Sequence, residues 1–239
     1  MVAVIISFTG GFLLANAFNR TELNNLRGEN ERLKTSQNET GQNQSGLTLS
    51  EAEIRERIAE ADANPNNYNF QKNLGLALYR YAAIKQDPEL LSEVGRLLSR
   101  AFENDRKDYA VILTLGNIRF DIGYFKKDNR QFQEAREFYQ LALQQKPNDA
   151  DVRTDLGLTY FLSDPPESER AIGEFQKSLK TNPKHEKTLQ AMAQTFVSQN
   201  NTVEAEKYLT KLKEVNPSNQ FLPELESRIV EIKGGSQKQ

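Results

Sequence analysis

The chain has 239 residues, room for one domain of ordinary size with appendages. Its 31 Lys and Arg against 33 Asp and Glu give a net charge of −2, without the basic bias that holds nucleic acid. No cysteine is present, which excludes disulfides, zinc–thiolate sites and thiol nucleophiles but does not choose a compartment.

The first stretch, "MVAVIISFTGGFLLANAF" (1–18), carries no charged side chain. As a helix, Val2 to Phe18 would rise about 25 Å, near the lower limit for a bilayer crossing. A transmembrane anchor is the expectation; a cleaved signal peptide, with "ANA" as its small-x-small site, and a buried helix stay open. Ser7, Gly11 and Ala15 share one helix face, where small residues let two membrane helices approach closely, or stand there by chance.

Residues 19–34, "NRTELNNLRGENERLK", space Leu23, Leu26, Asn30 and Leu33 as the seam of a short coiled coil. An Asn at such a position favours one register and a low oligomer number, while Gly28 weakens the helix outside the seam. A homodimer through anchor and stalk, or a monomeric stalk, both fit. Residues 35–49 are almost wholly polar and read as a flexible linker. Residues 50–65 read as an N-terminal capping helix, with Ser50 as N-cap and Glu53 completing a capping box.

From there on the apolar pattern is helical, broken by Pro, Asn and Asp. "LGLALY" begins at Leu74, "LGNIRF" at Leu115 and "LGLTYF" at Leu156, 41 residues apart each time. Pro65, Pro147, Pro183 and Pro217 give a second ruler; Val94, Ala135, Ala171 and Ala205, spaced 41, 36 and 34, give a third. The last two rulers give the same four units, 66–106, 107–147, 148–183 and 184–217. The first two are longer by about seven residues, attributed to extra helical turns in "YRYAAIKQ" and "DIGYFKK". A final amphipathic helix over 218–235 sets Phe221, Leu225, Ile229 and Ile232 on one face and is expected to stop at Gly234-Gly235.

This pattern resembles the tetratricopeptide repeat family. Leu115, Gly116, Gly123, Phe132, Ala135, Tyr139, Ala142 and Pro147 fall on its signature positions in the second unit. The third unit supplies Leu156, Gly157, Tyr160, Ala171, Phe175 and Pro183. The fourth supplies Leu189, Phe196, Ala205, Leu209 and Pro217, with Ala193 replacing glycine; the first keeps Leu74, Gly75 and Ala101. The resemblance implies an all-α chain, an α-solenoid of about four helix hairpins with capping helices, preceded here by the transmembrane helix and the coiled-coil stalk. The glycine after leucine is expected to meet the small residue of the second helix, and Tyr139, Phe175 and Leu209 to fill the space between units.

By the same resemblance, first helices line a concave groove that takes a protein or peptide partner. Its candidate residues are Asn69, Lys72, Leu76, Tyr79 and Arg80, then Leu113, Asn117, Phe120, Asp121 and Tyr124. The later units add Asp151, Thr154, Leu158 and Phe161, then Lys187, Gln190, Gln194 and Val197. Tyr79, Phe120 and Phe161 fall at equivalent places, as an aromatic ladder or as packing between first helices. The carboxylate clamp of some family members is not reproduced, since Leu76, Asp151 and Asp155 stand where its partners are needed.

No phosphate loop, catalytic Ser/His/Asp set or metal-ligand pair is legible, so no catalytic residue, metal or cofactor is expected. The one histidine, His185 in "NPKHEK", reads as a solvated loop residue. The expected function is a membrane-tethered adaptor or assembly factor, with a self-oligomerising scaffold as the other reading. An anchor plus a repeat domain looks like the accessory subunits of cytochrome c maturation or of the secretion translocon, a fold-level analogy. Arg20, Arg27, Arg32 and Lys34 after the anchor would keep the repeats cytoplasmic; the resemblance implies the exported, periplasmic side.

Overall fold

A computed structural model of the chain describes residues 50–236, which form ten α-helices and no strand. The expected anchor, stalk and linker (1–18, 19–34 and 35–49) lie outside the described residues. Among the described residues, no helix is long and apolar enough to cross a membrane. The chain divides into two units at Ala63–Asn64.

Of the first unit, one helix is described, α1 (Glu51–Ala63). Its N-terminus is a reciprocal capping box: Glu53 N–H donates to Ser50 Oγ at 3.2 Å, and Ser50 N–H donates to Glu53 Oε2 at 2.7 Å.

The second unit is a run of antiparallel hairpins. They are α2 (Tyr68–Lys85) with α3 (Pro88–Asn104), and α4 (Tyr109–Lys126) with α5 (Asn129–Gln145). Then come α6 (Ala150–Phe161) with α7 (Ser168–Thr181), and α8 (Glu186–Ser198) with α9 (Thr202–Val215). The chain closes with α10 (Leu222–Ser236). Short polar residues start most of these helices. Asn67, Asp87, Asp108, Asp128, Asp149 and Asn201 each accept a hydrogen bond from a backbone N–H in the first turn. Three hairpin turns are closed by residues in the left-handed region, Gln86, Lys127 and Asn200. The next N–H then reaches back to Ala82, Gly123 and Phe196 carbonyls respectively, satisfying groups that the helix end leaves open.

The additional residues of the first two repeats are shared between both helices of each hairpin. α2 and α4 run 18 residues where α6 has 12, and α3 and α5 run 17 where α7 has 14. The step from long to short hairpin is tied by Asn129, whose amide donates to Asp164 O at 2.6 Å and accepts from Asp164 N–H at 3.0 Å.

In the first three hairpins the atoms nearest each glycine of the Leu-Gly pair belong to large side chains. A Cβ on Gly75 would lie 2.5 Å from Leu98, on Gly116 2.8 Å from the Tyr139 ring, and on Gly157 2.4 Å from the Phe175 ring. The small residues Ala135, Ala171 and Ala205 are fully buried as well. So Tyr139 and Phe175 do not simply fill the gap between units; each also fills the hollow that glycine leaves on the facing helix. The reason is size: a ring needs the missing methylene, an alanine does not.

The last described helix packs on the fourth hairpin. Phe221, Leu222, Leu225 and Ile229 are buried, and α10 contacts α8 and α9. Counted from Pro217, Glu226, Ser227 and Val230 take the places that Leu156, Gly157 and Tyr160 hold after Pro147. Val230 is 68% exposed, an uncovered apolar side chain one helical turn from the polar Glu226 and Ser227. α10 does not stop at Gly234-Gly235 but runs through them to Ser236; a helix's last exposed turn tolerates glycine at about 1 kcal/mol.

Candidate partner-binding face

The first helices touch each other, α2 with α4 and α6 with α8, while successive second helices make no comparable contact among the described residues. The stack therefore closes on the side of the first helices, which form its inner face. The candidate residues were drawn from this side, and the structure sorts them by burial and by partner.

Leu76, Leu113 and Phe161 are half-buried apolar side chains, and Arg80 is exposed. Tyr124 is half-buried, and burial pushes its hydroxyl up to about 12. Tyr79 donates to the buried Asp121 carboxylate at 3.1 Å, and Asn117 Oδ1 accepts from the Tyr139 hydroxyl at 3.0 Å. Lys72 is bonded to Asp108, and Lys187 to Asp155 at 2.6 Å. Six candidates are core residues, Asp121 and Val197 among them. Thr154 and Leu158 are fully buried, and Gln190 is 3% exposed with its Oε1 accepting from Asn219 at 3.2 Å. Phe120 is 7% exposed and sits edge-on to Phe132 at 5.7 Å. Val197, at the ladder's fourth place, is also buried. The aromatic ladder is thus broken at its middle rung, because Phe120 turns into its own hairpin. The cations that line the inner face at Lys72 and Lys187 are neutralised by their own neighbours; the half-buried part of the face is mainly apolar and aromatic, and Asn69, Arg80 and Asp151 are its exposed polar residues.

A second pattern went unread in the sequence. Tyr68 donates to Asp108 Oδ2 at 2.5 Å, and Tyr109 donates to Asp149 Oδ2 at 2.8 Å. Each pair links the first residue of one first helix to the N-cap of the next. Burial pushes the Asp108 carboxyl up, but hydrogen bonds from Lys72, Tyr68 and the Val111 N–H outweigh it and hold that carboxyl below its usual range. The signal was present, since Tyr68 and Tyr109, and Asp108 and Asp149, are each 41 residues apart.

At the third joint, His185 is not a solvated loop residue. It is the residue preceding α8, its side chain 13% exposed, bonded to Thr188 at 2.6 Å and to Asp151 at 3.2 Å. A proline-flanked polar stretch suggested solvent; tertiary contact with α6 decided otherwise. The resulting hydroxyl–imidazole–carboxylate order has the elements of a nucleophilic triad, but the Thr188 side chain is fully buried and no substrate reaches it. Nearby, the Arg136 and Arg170 guanidinium groups lie 4.1 and 4.2 Å from the Tyr160 ring centroid, and Glu167 pairs with both. Among the described residues no cluster of metal-ligating side chains occurs.

The model of the tetratricopeptide repeat matches residues 116–149. No curated protein matches the chain. Solved structures do. A crystal structure of MamA is similar at 24% identity with a TM-score of 0.54, over 69% of this chain and 87% of that one. MamA 41-end from Desulfovibrio magneticus RS-1 is similar at 17% identity with a TM-score of 0.56, over 87% and 97%. At these identities the likeness is one of fold. Residues 116–149 are accordingly a tetratricopeptide repeat, set in an all-α solenoid of helix hairpins.

Proposed function

We propose that the chain is a scaffold whose inner face holds a protein or peptide partner, tethered to a membrane by residues 1–18. The supporting observation is the half-buried set Leu76, Tyr79, Leu113, Tyr124 and Phe161, apolar or aromatic side chains on successive first helices. Such a row offers anchors for a bound chain, and hot spots of binding concentrate in aromatic and apolar pockets of this kind. Tethering would raise the local concentration of the face for a membrane-bound partner. A partner in cytochrome c maturation or secretion is one form this takes, with the repeats on the exported side.

Photo-crosslinking in cells from positions 113 and 161, against position 176 on the exposed side of α7, tests the reading. Crosslinks to one partner from 113 and 161 but not 176, lost in Leu76→Asp, support it. Equal labelling from all three positions refutes it. Favoured by the seam of Leu23, Leu26, Asn30 and Leu33, the self-oligomerising scaffold predicts self-crosslinks from position 30 that inner-face substitutions leave unchanged.

A further inference from the structure

Three equivalent joints link successive repeats, and one of them differs in kind. The first two close on a tyrosine hydroxyl and an N-cap aspartate, groups whose ordinary titration lies far from neutrality. At the third, Ala150 stands in the tyrosine's place and His185 in the aspartate's. The ring's Nε2 is 3.2 Å from Asp151 Oδ1 and its Nδ1 is 2.6 Å from Thr188 Oγ1. Thr188 Oγ1 is in turn 2.6 Å from Thr154 Oγ1 and 2.8 Å from Ser178 Oγ. Both of these hydroxyls also reach the Ala150 carbonyl, at 2.6 and 3.0 Å. A continuous chain of hydrogen-bonding groups therefore runs from Asp151, with a side chain 72% exposed, to three hydroxyl side chains at 0% exposure on α6, α7 and α8.

Each hydroxyl has one proton to give, and that fixes the bookkeeping. With a neutral ring, the proton sits on Nε2, facing the carboxylate. Thr188 then donates to Nδ1, and Thr154 and Ser178 each donate to Thr188. A second proton on Nδ1 makes the ring the donor to Thr188. Thr188 must then donate to Thr154 or Ser178, and both of those donate to the Ala150 carbonyl. Every hydroxyl is bonded in either state; only the direction changes.

We propose that His185, Thr188, Thr154 and Ser178 form a reversible relay, in which protonation of the ring reverses the donors buried between the third and fourth repeats. A change at the solvent edge is thereby carried to Ser178 on α7 without opening the joint. The Asp151 carboxyl is held below its usual range, first by the His185 hydrogen bond, with Lys187 assisting. The other charged groups about the ring are Asp155 of α6, which pairs with Lys187, and Glu186 of α8, held by Asn216 and Asn219. From α7 the group presented is the Ser178 hydroxyl.

Because the chain has one histidine, its imidazole can be followed alone by 15N NMR across a pH series. The backbone amide shifts of Thr154, Ser178 and Thr188 are expected to follow the imidazole's own curve. In Thr188→Val the ring should still titrate while the Ser178 response is lost, and Thr188→Ser should restore it. A Ser178 amide that ignores the ring in the wild-type chain overturns the relay, as does one that responds equally in Thr188→Val. Should Thr188→Val not fold, the wild-type ring decides alone: a neutral ring with its proton on Nδ1 makes Thr188 an acceptor in both states, and no reversal takes place.

Discussion

Replacing Gly157 by alanine sets two measurable effects against each other. In a helix interior alanine is favoured over glycine by about 0.5–1 kcal/mol. Here, though, the new Cβ lies 2.4 Å from Phe175 Cε1 and 2.7 Å from Cδ1, both well inside contact distance. Phe175 is 0% exposed, so its ring has no solvent to swing into. Forcing a methyl group into a filled core costs about 1–3 kcal/mol, and a clash this short against a buried ring belongs in the upper part of that range. The net expectation is a loss of about 1–2 kcal/mol. The fourth repeat contains the remedy, with Ala193 in the glycine's place and Leu209 in the phenylalanine's. Phe175→Leu alone should destabilise by opening a cavity. Combined with Gly157→Ala it should recover about 1 kcal/mol or more relative to the sum of the two single changes. Urea denaturation of the four proteins, followed by far-ultraviolet circular dichroism with m-values compared, measures this cycle. If Gly157→Ala is as stable as the wild type, or the two losses simply add, the ring is not what the glycine makes room for.

Two further changes probe the turns and the joints. Gln86 closes the first hairpin at φ 56°, a conformation that glycine adopts without strain; Gln86→Gly should stabilise the chain by about 0.5–1 kcal/mol, seen as a higher urea midpoint at unchanged m-value. Asp108 ionises more readily folded than unfolded, so its contribution is complete above the unfolded value of about 3.9 and disappears as the pH falls through the folded one. Asp108→Asn should therefore be less stable than the wild type at pH 7, with the gap narrowing below about pH 4; a gap that stays constant down to about pH 2 would contradict the reading.

The inner face was legible in its outline and not in its detail. Equivalent positions could be found by counting from each Leu-Gly pair, and they do fall on the first helices. Counting could not say that Phe120 turns back onto Phe132, or that Thr154 and Gln190 are drawn into contacts with α8 and the α9–α10 turn. Periodicity gives the side of a helix, whereas exposure depends on what the next helix brings. For the same reason His185 looked solvated: nothing near it in the chain announces Asp151, 34 residues earlier and on another helix.

Sequence alone determined the helical class, the hairpin beat and where the turns fall. These follow from local causes: a glycine and an aromatic recurring together, capping residues at helix starts, and proline where a helix cannot continue. Tertiary structure alone decided which side chains face one another across those helices. Gly157 meets the Phe175 ring, and Tyr68 meets Asp108 forty residues away, because close packing and inter-helix hydrogen bonds are set by three-dimensional neighbours. A linear pattern carries the period of those neighbours but not their identity.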